Sequence, residues 1–360
     1  MPKLYDNLIR PALFSLPAET AHEIGIESLR VGLASKAAQN YMAARTNSWD
    51  LGRIERFGLS FKNPLGMAAG FDKNAIVVNH LGALGFGFVE VGTVTFDPQK
   101  GNEKPRLFRL PGDGALINRL GFNNEGTARV VERLGKIDRS CVVGVNIGKN
   151  KAVPNEEAIE NYLKSFDLAA GVADYVAVNI SSPNTPGLRE LQKAENLEDL
   201  LRALQARNRE LGVKPLLVKI APDLTEGEIE AITDICLGLE IAGVIATNTT
   251  ISREGLVSDV ESIGAGGLSG KPLRERSTEV ISSVCRYSKG KLPIIGVGGV
   301  FTTEDAFEKI AAGACLIQAY TGFIYGGAMF ARDLNAGLAR ILKERGFKSL
   351  DEAVGSGGAV

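Results

Sequence analysis

Eight short apolar runs recur along the chain, each closing on small or polar residues and most separated from the next by a helical stretch. They are Leu65–Ala69, Phe88–Gly92, Val142–Ile147, Tyr175–Ile180, Leu216–Ile220, Gly243–Thr247, Ile294–Val297 and Cys315–Ala319. Several are unbroken Val/Ile/Leu segments rather than alternating ones, which suits parallel strands buried on both faces. Between them, Leu197–Leu211 brings Leu197, Leu200, Leu201, Leu204 and Leu211 to one side, and Glu226–Leu239 and Thr303–Ala312 follow the same period behind a Thr or Asp. This pattern predicts an α/β fold, a closed (β/α)8 TIM barrel, with an open doubly wound sheet as the competing arrangement.

At 360 residues the chain exceeds the roughly 250 of a typical barrel, and two regions fall outside the repeat. Thr93–Ser140 is too long for one helix and contains Pro98, Pro105 and Pro111, so it is expected to be an excursion over the barrel top. Residues 1–45 are expected to form a small two-helix extension. Its first helix carries Leu4, Leu8 and Ile9 and stops near Pro11; the second starts after Ser15 or Pro17 and carries Ala21, Ile24, Leu29 and Leu33. Lys3, Arg10, Arg30 and Lys36 flank these positions. Amphipathic helices with basic flanks either lie on a bilayer surface or pack on the barrel wall, and the sequence leaves both readings open. The expected division is 1–45, a barrel over 46–350, and a flexible tail over 351–360.

Charge and cysteine usage exclude several classes. Lys plus Arg is 41 and Asp plus Glu is 42, so no global positive field exists to draw in nucleic acid. Cys141, Cys236, Cys285 and Cys315 are far apart and there are only two histidines, His22 and His80, so the usual zinc and iron–sulfur spacings are absent and no metal is expected. Thiols in apolar runs point to a reducing compartment. Nothing after Met1-Pro2-Lys3 resembles a secretory signal, and no apolar run approaches the ~18 residues of a membrane span.

The strand ends are polar and rich in asparagine, and a catalytic barrel places its site there. In chain order they read Ala68-Ala69-Gly70-Phe71-Asp72-Lys73-Asn74, Asn146-Ile147-Gly148-Lys149-Asn150, Asn179-Ile180-Ser181-Ser182-Pro183-Asn184-Thr185, Lys219, and Thr247-Asn248-Thr249-Thr250. The excursion adds Asn118-Arg119-Leu120-Gly121-Phe122-Asn123-Asn124. Asparagine is a poor strand residue, but its amide donates and accepts, which suits a planar ligand with alternating C=O and N–H groups. Gly296-Val297-Gly298-Gly299 and Ala319-Tyr320-Thr321-Gly322 follow the last two strands, where barrels bind phosphate through backbone N–H groups. A phosphorylated flavin fits better than a dinucleotide, because no strand–GxGxxG–helix unit is present. Other readings of the same residues are a tight turn at Gly298-Gly299, a helix cap at Ser182-Pro183 and a Schiff-base lysine at Lys219. Glu90, inside Phe88–Gly92, reads as a buried charge whose partner the sequence does not name.

These motifs resemble one family. NISSPNTPGLR at 179–189, AAGFDKN at 68–74, INRLGFNN at 117–124, VKIAPDL at 218–224, ATNTT at 246–250, GGLSG at 266–270 and IIGVGGV at 294–300 are similar in order and spacing to the dihydroorotate dehydrogenases, over nearly the whole chain. Ser182, where the soluble class 1 enzymes carry cysteine, and the extension over 1–45 resemble class 2, the quinone-dependent, membrane-associated enzymes. The resemblance implies FMN-dependent oxidation of (S)-dihydroorotate to orotate in pyrimidine synthesis, with a membrane quinone as final acceptor. It implies that Ser182 is the catalytic base, with Thr185 and Phe122 shaping the proton's route. Lys73, Asn118, Arg119, Leu120, Gly121, Phe122, Asn179, Asn184, Asn248 and Thr249 are implied substrate contacts. Ala69, Gly70, Phe71, Asp72, Lys73, Thr93, Asn146, Asn179, Lys219, Thr247, Gly270, Gly299, Tyr320 and Thr321 are implied FMN contacts. His22 and Arg109 are implied to line a quinone tunnel. The implied protein is a monomer, peripheral on the cytoplasmic side of a bacterial inner membrane. A soluble flavin relative that reduces fumarate or an iron–sulfur partner, a non-catalytic flavin or phosphate binder, and a lysine aldolase built on Lys219 are the competing functions.

Overall fold

The structure, a computed structural model, describes residues 4–47, 49 and 51–358. Lys3 and the last two residues of the expected tail lie outside the described residues. Thirteen strands are present among the described residues: β1 Ile54–Arg56, β2 Leu59–Phe61, β3 Leu65–Met67, β4 Phe88–Val94, β5 Leu107–Leu110, β6 Ala115–Asn118, β7 Val142–Ile147, β8 Tyr175–Asn179, β9 Leu216–Ile220, β10 Gly243–Ala246, β11 Gly267–Gly270, β12 Ile294–Val297 and β13 Leu316–Ala319. Eight of them close a barrel in the order β3-β4-β7-β8-β9-β10-β12-β13, parallel throughout. They are the eight apolar runs, trimmed by a residue or two where Ala68, Ala69, Ile180, Thr247 and Cys315 turn into loops, and lengthened at β4 to Val94. The (β/α)8 architecture is therefore the one observed, and the open sheet is not.

The excursion forms a second, smaller sheet over the barrel mouth. β5 and β6 pair antiparallel, and β11 pairs with β6 so that Leu268 faces Ile117. Leu110, Ala115, Ile117 and Leu268 make a separate small core there. The helix Thr127–Gly135 then returns the chain to the barrel wall, where Val130 and Leu134 are buried. GGLSG is thus mostly an edge strand of this sheet.

The N-terminal segment departs from expectation in two places. Its first helix does not stop at Pro11: a π turn over Tyr5–Ile9 runs into Arg10–Phe14. The wider turn accommodates a ring and a missing N–H that would break a regular α-turn. Beyond Ala18–Gly32 a further helix, Lys36–Thr46, is capped by Ser35, whose Oγ accepts from Ala38 N at 3.1 Å. It carries few large apolar residues, so periodicity did not reveal it; Thr46 Oγ1 anchors it by donating to Ala83 O at 2.7 Å.

The flexible tail is also corrected. Leu350–Ala353 is helical with Ala353 fully buried, and Gly355 N and Gly357 N donate to Ile310 O and Ala311 O at 3.0 and 2.9 Å. A main chain tied by such bonds is part of the barrel wall.

Glycines inside the barrel make room for the large rings. A Cβ on Gly144 would land within the ring of Tyr175, whose side chain is fully buried. Gly144→Ala is expected to overpack the barrel and cost about 2 kcal/mol or more, read as a lowered urea midpoint. An unchanged midpoint would show that the barrel yields there.

Candidate active site

A cleft of about 1040 Å³ opens at the C-terminal ends of the barrel strands, beneath the β5–β6–β11 sheet. Its wall contains Ala69, Gly70 and Lys73 after β3, Thr93 of β4, Asn179 at the end of β8 and Lys219 of β9. Ser182 and Asn184 come from the loop after β8, and Thr247, Asn248 and Thr249 follow β10. The sheet contributes Leu116, Asn118 and Gly270, with Leu120, Gly121 and Phe122 beyond β6. The far end is Val297–Val300 after β12 and Ala319–Gly322 after β13.

Beneath the cleft lies a polar network centred on Glu90, which is wholly buried in β4. Its carboxylate accepts from Asn146 Nδ2 at 2.8 Å, Tyr175 OH at 3.0 Å and Gln318 Nε2 at 2.8 Å, and Lys219 Nζ lies 3.8 Å away. This supplies the missing partner of Glu90. Burial lowers the Lys219 ammonium from its ordinary value while Glu90 opposes the shift. Asn146 extends the network upward: Thr93 Oγ1 donates to Asn146 Oδ1 at 2.6 Å and accepts from Asn179 Nδ2 at 2.8 Å. Asn248 Nδ2 in turn donates to Asn179 Oδ1 at 3.2 Å and Ser181 Oγ at 3.0 Å. The asparagines therefore fix one another's orientation, which a set of independent turn residues would not do.

The Ser182 loop is held from both sides. Arg189 donates to Ser181 O and Thr249 O, each at 3.0 Å, and pairs with Asp223 at 2.8 Å. Asn184 Nδ2 donates to Asn118 Oδ1 at 3.0 Å, tying the loop to the overlying sheet. Ser182 Oγ accepts from Asn184 N at 3.2 Å and keeps its own proton free to donate. Thr185 Oγ1 is buried with no hydrogen-bond partner. Opposite, Lys73 Nζ donates to Gly70 O at 2.9 Å, and burial pulls its ammonium down to about 8. Glu19 and Asp72 oppose that shift, and Arg106 adds to it.

A second, apolar cavity of about 800 Å³ adjoins the cleft, between the N-terminal helices and the barrel. Phe14, Ala21, His22, Leu29, Phe71, Arg109, Phe323 and Ile324 are among its lining residues, and Leu107 and Leu116 line both cavities. Arg109 donates to Leu13 O at 2.8 Å and to Leu16 O, with its guanidinium 4.7 Å from the Phe14 ring centroid. His22 meets Phe71 edge-on at 5.1 Å, and burial pulls its imidazole down to about 3, with the Lys73 charge acting in the same direction. Arg106 clamps the Ala18–Gly32 helix to the excursion through Glu19 at 2.7 Å.

Most residues singled out in the sequence meet at these two cavities. Five of those expected at the cleft do not line it. Thr185 is one, its Oγ1 buried in the loop after β8. Phe71 lines the apolar cavity. Asp72 is buried and accepts from Ile76 N and Val77 N at 2.8 and 2.7 Å, shaping the turn instead. Asn146 acts from below through Thr93 and Glu90. Arg119 spends its guanidinium on Ile263 O at 2.5 Å and Ala265 O at 3.1 Å. Gln318 escaped sequence reasoning. A polar residue inside the apolar run Leu316-Ile317-Gln318-Ala319 was the available signal; it lines the cleft, and its Oε1 is buried without a partner.

Comparison with known proteins agrees with this geometry. The dihydroorotate dehydrogenase family model matches residues 53–342. The chain belongs to the dihydroorotate dehydrogenase family. It is 53% identical over 335 residues to a dihydroorotate dehydrogenase (quinone) of Christiangramia forsetii, covering 92% of this chain and 98% of that one. It is 51% identical over 354 residues to the dihydroorotate dehydrogenase (quinone) of Gloeobacter violaceus, covering 97% and 98%. Among solved structures, ligand-free DHODH from Eimeria tenella superposes with a TM-score of 0.80 at 39% identity, covering 89% of this chain and 98% of that one. The resemblance carried by NISSPNTPGLR and its companion motifs is thus borne out, quinone class included. As a dihydroorotate dehydrogenase family member the chain is an oxidoreductase, and the aldolase and pure-binder readings fall away.

The environment of His22 makes a direct prediction. An imidazole held near 3 stays neutral through the range where an exposed histidine protonates. In NMR spectra of a His80→Gln variant, the remaining His22 ring signals are expected to stay flat from pH 8 to pH 5; a titration near 6.5 would contradict the burial.

Proposed function

We propose that this chain oxidises (S)-dihydroorotate to orotate at the polar cleft, with FMN as the bound cofactor, and delivers the electrons to a membrane quinone through the apolar cavity. The observation that carries this reading is the pair of cavities: one polar and amide-lined, one apolar, sharing Leu107 and Leu116 as a common wall. A single redox group in the cleft then serves two substrates that never need to meet.

The residues present fit FMN. The cleft has room for a tricyclic ring, a buried and unpartnered Gln318 Oε1 in its wall, and Lys219 with the Thr93–Asn146–Asn179 amides at its base. At the far end Gly298 and Gly299 hold φ of 126° and 72°, which exposes backbone rather than side chain. Ser269 Oγ and Thr321 Oγ1 stand 2.9 Å apart there. Ala69, Gly70, Thr247, Gly270, Gly299, Tyr320 and Thr321 would surround the cofactor, which when bound supplies the acceptor for the hydride leaving substrate C6.

Lys73, Asn118, Asn184, Asn248 and Thr249 would hold the planar substrate, with Leu120, Gly121 and Phe122 closing over it. Ser182 Oγ would take the C5 proton. A serine is a weak base, so its effectiveness rests on alignment and on a path onward for the proton. The buried, unpartnered Thr185 Oγ1 would serve that path, and Phe122 in the cleft wall would help keep it dry. Lys73 would pair with the substrate carboxylate; an anion restores the charge that burial penalises.

His22, neutral and set against Phe71, and Arg109 would receive the quinone head. The N-terminal helices dock on the barrel through Tyr5 OH, which donates to Ile324 O at 2.6 Å, and through Arg10, which donates to Tyr325 O at 3.1 Å. Their other side leaves Leu4, Leu8, Ile9, Ile24 and Val31 exposed. The two readings of this segment are therefore compatible. One side packs on the wall while the other would lie on the inner membrane from the cytoplasmic side, each chain acting as a monomer. No helix among the described residues is long and apolar enough to cross a membrane.

Ser182→Ala is expected to keep the oxidised flavin spectrum and orotate binding while slowing anaerobic flavin reduction by dihydroorotate about 10²–10⁴-fold in stopped flow. Reduction at the wild-type rate would overturn the assignment of the base.

A further inference from the structure

Lys309 is fully buried on the helix Thr303–Ala311, with no ion pair among the described residues. Its ammonium donates to Ser277 Oγ at 2.5 Å, Thr278 Oγ1 at 3.1 Å and Arg274 O at 3.3 Å, all neutral acceptors. The neighbouring carboxylates are committed elsewhere. Asp305 pairs with Arg274 at 3.1 Å and accepts from Phe301 N and Thr302 N at 2.9 Å, while Glu308 faces the same arginine at 3.8 Å. Burial pulls the Lys309 ammonium down to about 7, against the attraction of Glu308 and Asp305 and with Arg274 adding to the fall. A buried cation that meets only neutral oxygens is costly unless an anion completes it.

Its bonding leads directly to the cleft. Ser277 Oγ, which accepts from Lys309, lies 3.0 Å from both Arg274 O and Gly298 O and shares its single proton between them, so that it bridges the lysine to the turn. Gly298 and Gly299 form the turn at the far end of the cleft, and a Cβ on Gly299 would collide with the Arg274 backbone. Arg274, Ser277 and Lys309 are thus the back of that turn, and no acidic side chain among the described residues lines its front.

We propose that Lys309 is the counter-charge and positioning residue for the flavin phosphate, setting the Gly298–Gly299 turn through Ser277 from behind and so selecting a phosphorylated over a neutral flavin. This rests on the FMN reading of the cleft. The lysine touches neither substrate nor reacting atoms; it acts through the turn and through its charge.

The test compares FMN with riboflavin, which lacks the phosphate, binding to apoprotein of the wild type, Lys309→Met and Lys309→Gln, followed by flavin fluorescence. Glutamine keeps a donor toward Ser277 without the charge. Both variants are expected to lose roughly tenfold or more in FMN affinity, the scale of a charge pair several ångströms apart in a partly screened interior, with riboflavin affinity unchanged. Equal losses for both flavins would mean a merely structural lysine, and no loss for either would mean no role; each overturns the proposal. A wild type that binds riboflavin as tightly as FMN would instead sink the phosphate reading of the cleft itself.

Discussion

A single buried carboxylate organises the floor of this molecule. Glu90 stands inside a closed barrel, where an unpaired charge would be prohibitive, and its neighbours are drawn from four other strands: Asn146 of β7, Tyr175 of β8, Lys219 of β9 and Gln318 of β13. Each of those side chains must face inward for Glu90 to be satisfied, so the carboxylate helps set strand register as well as local charge. Gly144 exists to let the Tyr175 ring reach it. Once Lys219 and Asn146 are fixed, Thr93, Asn179 and Asn248 follow by mutual hydrogen bonding, and the cleft has a preorganised polar base before any ligand arrives.

Above that base the chain spends its extra length on separation. The β5–β6–β11 sheet roofs the polar cleft, and the N-terminal helices enclose an apolar chamber behind it. Leu107 and Leu116 belong to both. Arg106 and Glu19 lock the roof to the helical cap, so the two compartments are mechanically one unit. In the proposed reaction this geometry keeps a charged, planar reductant and a greasy oxidant apart while allowing both to approach the same cofactor.

Much of this was legible in the sequence because its determinants are local. Unbroken Val/Ile/Leu runs mark two-faced burial, and the eight strands fell where those runs lie. Asparagines, glycines and Ser182 at strand ends announced the cleft. What was hidden depends on tertiary partners. Glu90 showed only as an anomaly in an apolar run, since its ligands come from strands 56 to 228 positions away. Arg119 sits in a motif that reads as substrate-facing, yet two loop carbonyls capture it. Lys36–Thr46 lacks an apolar stripe because Thr46 and a capping serine, rather than large side chains, secure its ends. The C-terminal glycines read as a free tail because their anchoring bonds are main-chain to main-chain, which composition cannot reveal.

One cofactor reached from two compartments would show itself in an anaerobic two-step titration. The visible spectrum of the purified protein is recorded, dihydroorotate is added, and then either a short-chain quinone or fumarate. The flavin bands are expected to bleach with dihydroorotate, return with quinone, and stay bleached with fumarate. Bands that return only with fumarate would contradict the apolar cavity as an electron exit, and a protein that takes up no flavin would contradict the account at its root.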